Sequence, residues 1–326
     1  MKEYVISKKE AGQRMDKYLF KVLDQAPKSF VYKMLRKKNI VLNDKKAGGQ
    51  EVLQEKDSIK IYFSDETFDK FASCTVREVP GKKKVVPDIV YEDEDILVFN
   101  KPAGMLSQKA AREDYSANDM VIEYLLDSGQ LSKEELRTFR PSICNRLDRN
   151  TSGLLIAGKT IKGLQQMSEQ LKSRTMQKYY RCLVLGNLTE DAHLTGYLTK
   201  NHATNQVVIS RKKPAETADN GKNGEKAAFI ETAYHPIAQY HGITLLEVHL
   251  ITGRSHQIRA HLASIGHPIL GDGKYGNEQI NRKMKKEFGL SGQLLHAFRM
   301  EFPDGKVLTA KVPEIFHKII HAYEKR

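Results

Sequence analysis

Met15, Tyr18, Leu19, Val22 and Leu23 recur three and four residues apart, which predicts a helix with one apolar face. Pro27 to Ser29 interrupts that rhythm, and Ser29 is expected to cap a second helix that buries Val31, Met34 and Leu35. The second helix should end in Arg36-Lys37-Lys38-Asn39. Ile40-Val41-Leu42 and residues 58–63 then read as strands. Further along, the short β-branched runs Ile89-Val90-Tyr91 and Ile96-Leu97-Val98-Phe99 flank the acidic turn Glu92-Asp93-Glu94-Asp95 and predict a hairpin. Strands are also expected over 154–157, 180–185, 229–234 and 243–251, and helices over 120–126, 161–173 and 255–265. Strands outnumber helices and do not alternate with them, so the pattern favours an α+β fold on a mixed sheet over a doubly wound one.

The length, 326 residues, argues for two domains, since domains run to roughly 100–200 residues. Pro80-Gly81-Lys82-Lys83-Lys84 combines a turn signal with a charge run after an apolar-poor stretch. The expected division is a small domain over 1–66, a linker over 67–86 and a larger domain over 87–326. Pro214 to Glu225 lacks apolar periodicity and reads as an exposed loop inside the larger domain.

Charge narrows the class. Lys and Arg number 53 against 40 Asp and Glu, a net of +13, so a polyanionic partner is expected. The excess is +5 over residues 1–70 and +8 over the rest, so it is not confined to a basic tail. No run approaches the roughly 18 apolar residues of a spanning helix, and the first residues lack a signal-peptide pattern. Cys74, Cys144 and Cys182 lie far apart and form no CxxC, which argues against disulfide and zinc frameworks. The expectation is a cytoplasmic, monomeric protein that handles RNA and no membrane.

Between Lys28 and Lys46 stand seven Lys or Arg against one Asp. Cations clustered at a helix end and the next strand can engage successive backbone phosphates. Residues 14–63 resemble the small RNA-binding domain first seen in a ribosomal small-subunit protein. That resemblance makes Arg14, Lys17, Lys33, Arg36, Lys37 and Lys38 the candidate RNA contacts.

Several chemistries are disfavoured. Gly271-Asp272-Gly273-Lys274-Tyr275-Gly276 is literally GxGxxG, but His267-Pro268 stands before it where a buried strand is needed, and a polar stretch follows. Turn glycines are the better account. His256 and His261 are five apart and there is no HExxH, no GxSxG and no Walker loop. Neither a cofactor nor a metal is expected.

The most informative string is Cys144-Asn145-Arg146-Leu147-Asp148-Arg149-Asn150-Thr151-Ser152-Gly153-Leu154-Leu155, an Asp between two Arg ahead of an apolar strand. It resembles the RLDxxTSGLL segment of the RluA-type pseudouridine synthases, with Asn145 where the family has His. Lys178 to Gly186 is similar to the family's KxYxAxVxG strand, and Thr252 to Leu262 to its TGRxHQIRxHL segment. Asn100 to Met105, Gly266 to Asp272 and Leu294 to Ala297 continue the match, which spans roughly 87–315. The resemblance implies a mixed, mostly antiparallel sheet of the pseudouridine synthase type. It also implies isomerisation of uridine to pseudouridine in RNA. Large-subunit ribosomal RNA is the expected substrate because family enzymes for that RNA carry a similar N-terminal domain. Transfer RNA is the alternative, and a non-catalytic RNA-binding factor is the alternative of another class.

Such a reaction needs one anionic group at the ribose–base junction, and a carboxylate stays ionised in a water-poor pocket only beside a cation. The resemblance makes Asp148 that group. Arg254 and Arg259 are both candidate partners, and the family places the ion pair at the arginine of Gln-Ile-Arg, so Arg259 leads. Tyr180 is expected to cover a flipped uracil, Leu295 to line the base pocket and Arg146 to fill the space the base vacates. A glycosidase-like hydrolase would need a second carboxylate, and none is obvious near Asp148 in the sequence.

Overall fold

The computed structural model describes all residues except 73–84, 112, 202–205, 214–226 and 326. Cys74, most of the expected linker and the Pro214–Glu225 stretch therefore lie outside the described residues.

Helices Met15–Val22 and Lys28–Arg36 form where the apolar spacing requires, burying Met15, Leu19, Val31 and Leu35. They cover an antiparallel sheet with strand order Lys2–Val5, Ser58–Ile61, Ile40–Leu42, Lys45–Lys46. The second helix starts ahead of Ser29: Pro27 takes the cap position and no side chain caps it. Its fixed φ supplies the entry geometry instead. A larger difference concerns the linker. Helix Asp65–Phe71, capped by Ser64, buries Phe68 in the core of this unit and lays Phe71 against Phe30, ring centroids 4.4 Å apart. Residues 67–71 thus belong to the N-terminal body. The charged residues Asp65, Glu66, Asp69 and Lys70 around them hid two apolar anchors three residues apart.

The larger body is built on a sheet ordered Gln206–Ser210, Ala192–Asn201, Ala228–Tyr240, Ile243–Leu250, Gln177–Leu185, Leu295–Glu301, Ser152–Gly158, Ile96–Lys101, Asp88–Glu92. Two short strands complete it: Val307–Thr309 on Leu295–Glu301, and Ser142–Ile143 on Ser152–Gly158. Every pairing between these strands is antiparallel except Leu295–Glu301 with Ser152–Gly158. The expected mixed, mostly antiparallel α+β sheet is present.

The parallel junction depends on Gly153. Its φ is +111°, and a Cβ there would lie 2.3 Å from the carbonyl oxygen of Ala297. Only glycine allows the two backbones to close. That closure brings the loop before Ser152 beside Leu295 and the Tyr180 strand. Ser152–Gly158 is buried along its whole length, as a central strand should be.

The two bodies are docked. Lys9 Nζ donates to Gln130 O (2.5 Å) and Glu135 (2.7 Å), Ile161 N donates to Lys9 O (3.0 Å), and Gln165 reaches Gly12 O (3.1 Å). Lys8 pairs with Glu94, and Thr138 donates to the buried Glu10. These contacts gather beyond the Gly158 end of Ser152–Gly158, while Asp148 precedes its other end. At about 3.3 Å per residue the seven-residue strand puts roughly 20 Å between them. Among the described residues no helix is long and apolar enough to cross a membrane.

Candidate active site

The Asp148 loop is pinned along its length. The Asn145 side chain accepts from Ile156 N (2.9 Å) and donates to Leu154 O (3.4 Å), so its amide fastens the loop to the adjacent strand. Ser107 Oγ donates to Leu147 O (2.7 Å) and accepts from Leu147 N (3.0 Å). Thr151 N donates to Asp148 O (3.0 Å), closing a tight turn after the acid. From beneath, fully buried Lys101 donates to the carbonyls of Pro102 (2.9 Å), Met105 (2.9 Å) and Arg149 (3.1 Å). Three acceptors satisfy all three ammonium protons. Burial pushes Lys101 down to about 7, partly opposed by the charge of Asp148.

Asp148 Oδ2 receives Nη1 of Arg259 at 2.7 Å. Arg259 sits in the first turn of helix Gln257–Ser264, and Asp272 grips its other edge: Nε donates to Oδ2 (2.7 Å) and Nη2 to Oδ1 (2.8 Å). Asp272 is fully buried, and its Oδ1 also accepts the backbone N–H of Lys274 (2.9 Å) and Tyr275 (3.1 Å). Arg259 therefore bridges two carboxylates, one locked and one open to the cleft. Burial alone would lower its pKa, but the bonds and charge of Asp272, then of Asp148, carry it above its usual range. Burial raises Asp272, and Arg259 with the two amides more than reverses this, holding it ionised. A fork-shaped guanidinium suits such a double clamp, where an ammonium would leave one partner loose.

Asp272 is the residue that sequence reasoning missed. It lies inside the GxGxxG string, whose glycines are indeed turn glycines. Cβ atoms at Gly271 and Gly276 would lie 2.3 Å from the carbonyls of Gly292 and Asp272. The turn folds amides around the acid, and the polar stretch that follows it forms a helix, Glu278–Phe288. No strand precedes it, so the dinucleotide geometry is still absent. A clue was available: an Asp between glycines, with no partner of its own in sequence. Asp272 does not make a hydrolytic pair with Asp148, because each oxygen is taken and none faces water.

His256 was also passed over. It holds φ +56° as the residue before the Arg259 helix, and its Nε2 stands 3.9 Å from Asp148 Oδ2. Nδ1 lies 2.9 Å from the Tyr275 hydroxyl, which already accepts Val207 N–H at 2.9 Å. The ring is thus fixed between Tyr275 on one side and Asp148 on the other. Burial lowers the pKa of His256 against the pull of Asp148.

Tyr180 is buried in the centre of the sheet between Val248 and Ala297. Burial and the nearby Asp148 charge raise its hydroxyl far above the usual value, keeping it a phenol. Leu295 is buried in the same core, paired with Cys182. Arg254 and Arg146 are exposed, and neither has an ion pair among the described residues. The structure thus brings together Asp148, Arg259, Tyr180 and Leu295, and leaves Arg146 and Arg254 at the rim. It places the N-terminal candidates on another body. There, Lys17, Lys33, Arg36, Lys37 and Lys38 are exposed, while Arg14 is tied to Asp16 (2.6 Å) and so differs from the others. A groove lined by Tyr32, Leu35, Arg36, Lys46, Ala47 and Gly48 runs beside them. Among the described residues no cluster of His, Cys, Asp and Glu has metal-holding geometry.

The fold is that of pseudouridylate synthases. Human RNA pseudouridylate synthase domain containing 4 superposes with TM-score 0.58 at 21% identity, covering 72% of this chain and 91% of that one. Residues 95–264 match the RNA pseudouridylate synthase family. Ribosomal large subunit pseudouridine synthase C of Pasteurella multocida is 32% identical over 94% of this chain and 87% of its own. Its namesake in Escherichia coli K12 is 31% identical over 96% and 93%. The chain belongs to the RNA pseudouridylate synthase family and is an enzyme of the pseudouridine synthase class.

Proposed function

We propose that this enzyme isomerises uridine to pseudouridine in large-subunit ribosomal RNA, acting as a monomer in the cytoplasm. Asp148 serves as nucleophile or base on a uridine flipped out of its stack. The observation that carries this reading is the Asp148–Arg259–Asp272 bridge: a carboxylate held at the cleft edge by a guanidinium that a second, buried carboxylate grips on its other side. The reaction breaks N1–C1′, turns the base and forms C5–C1′. The C5 hydrogen leaves to solvent, N1 gains one, and no oxidant or net water enters. Tyr180, kept neutral, offers a flat face and a hydroxyl to the base, with Leu295 beside it. Arg146, exposed on the same loop, fills the stack from which the base departs, at a cost of a few kcal/mol for unstacking. The two relatives that align over nearly the whole chain bear the name of a large-subunit enzyme, which favours ribosomal over transfer RNA.

The test uses ribosomal and transfer RNA tritiated at uridine C5. Release of label to water with this protein alone, and no free uracil, is the expected result from ribosomal RNA. Free uracil would show hydrolysis instead, and binding without release from either RNA would show a non-catalytic RNA-binding protein.

A further inference from the structure

Lys178 has no role in the site described so far. It stands two residues before Tyr180 on strand Gln177–Leu185, so both side chains leave the same face of the sheet. Strand Ile243–Leu250 pairs with this one as far as His249 opposite Tyr179, and the chain then continues past Lys178 as the loop Thr252-Gly253-Arg254. The Cβ position of Gly253 lies 3.5 Å from Lys178 Nζ, so the ammonium rests on bare loop backbone. That loop is held still. Gln257 Oε1 accepts Thr252 Oγ1 (2.8 Å) and Arg254 N (3.1 Å), while its Nε2 donates to Glu231 O (2.9 Å) and Thr232 (2.9 Å).

The electrostatics are one-sided. Lys178 is half-buried and has no hydrogen bond or ion pair among the described residues. Burial and the neighbouring Arg174 both depress its pKa, and no carboxylate opposes them. Arg254 and Arg174 are exposed and likewise lack an ion pair among the described residues. A partly desolvated ammonium without an anion costs stability, so the free protein carries a penalty that an arriving anion would remove.

We infer that Lys178, with Arg254, takes the backbone phosphate next to the nucleotide whose base enters the Asp148–Tyr180 pocket. The inference rests on the reading of that pocket given above. Lys178 acts as a substrate-positioning residue: it fixes the sugar–phosphate while the base turns, and the glycine lets the phosphate approach the loop closely.

The experiment follows tritium release from a ribosomal RNA fragment that the wild-type enzyme converts. Lys178→Met should raise KM by about tenfold, as expected for one lost phosphate contact, and lower kcat far less. Lys178→Arg should restore most of the loss. Replacing single phosphates on either side of the target with methylphosphonate should raise the wild-type KM similarly at one position and leave the Lys178→Met enzyme unmoved there. The Tm of free Lys178→Met should rise, because the unpaired charge is gone. An unchanged KM, or losses from variant and methylphosphonate that simply add at every position, would overturn the inference. Asp148→Asn in the same assay separates the two readings. If it still releases tritium, the pocket assignment is wrong. If it is dead while Lys178→Met behaves as wild type, only the phosphate contact is wrong.

Discussion

The two bodies of this protein use cations in opposite ways. In the N-terminal unit Lys17, Lys33, Arg36, Lys37 and Lys38 are exposed and carry no ion pair among the described residues. In the catalytic cleft Arg259 is buried and held by two carboxylates, and Lys101 is buried under three carbonyls. Free surface cations attract any phosphate backbone through counterion release, at long range and with steep salt dependence. A desolvated, fully partnered guanidinium attracts nothing from afar, but it holds one carboxylate in one place. The two units thus present different electrostatics: exposed, unpaired cations in one and a buried, paired guanidinium in the other.

The sharpest way to break this contrast is Asp148→Asn. It keeps shape and removes charge and nucleophilicity, so turnover should fall at least about 10³-fold, roughly 4 kcal/mol of barrier. RNA affinity should stay within a few-fold. Single-turnover assays beside binding titrations check both, and near-wild-type turnover would end the assignment.

Asp272→Asn tests whether the hidden half of the bridge matters. Without that charge Arg259 loses its anchor, and leaving one member of a buried ion pair unmatched costs about 3–5 kcal/mol of stability. Turnover should drop about 10²-fold, roughly 3 kcal/mol, with little change in RNA binding. An enzyme as stable and as fast as wild type would show that Asp148 needs no such support.

Acid should separate the bodies. His261 and His296 are buried in the catalytic domain, and burial pushes each down to about 4. The unfolded chain takes up these protons first. Their contribution is therefore complete above the unfolded pKa near 6.5 and is lost as pH falls toward 4. Between pH 7 and 5 the catalytic domain should lose about 2 kcal/mol or more. The N-terminal unit has no histidine before residue 73 and should hold. Domain-resolved NMR or hydrogen exchange against pH reads this, and a single transition with both bodies melting together would contradict it.

The smallest effect belongs to the exposed cations. Changing Lys33, Arg36, Lys37 and Lys38 together to Gln should weaken RNA binding about tenfold. It should flatten the slope of log Kd against log salt by about 0.7 per lost contact. Turnover at saturating RNA should hold. A fall in saturated turnover would mean that this unit also shapes the catalytic cleft.

Much of this was legible in the chain. The helix over 15–22 and the hairpin around Glu92–Asp95 follow from local periodicity, because each places one apolar face within a few residues. The strings around Asp148, Tyr180 and Arg259 pointed to a site through their resemblance to family segments, since an Asp between two Arg taken alone reads as a salt-bridged loop. The linker boundary failed where Phe68 and Phe71 sit among acids. Ser29 failed as a cap because Pro27 already sets the helix start. Asp272 stayed hidden because turn glycines surround it, and its partner lies 13 positions upstream in a helix.

The sequence by itself determined the kinds of element and the net positive charge, and its resemblance to a known family singled out the candidate acid and the candidate arginines. The elements and the charge depend on side-chain chemistry and on spacing within one or two turns. Only the tertiary structure decided between Arg254 and Arg259. The two are five residues apart, but one points to solvent and the other is clamped between Asp148, 111 positions away, and Asp272. It also decided that Asn145 holds a loop, that Lys178 stands beside Gly253, and that the two bodies are docked. Each of these depends on which distant backbones meet across the sheet, and the closure at Gly153 against Ala297 belongs to no local stretch of chain.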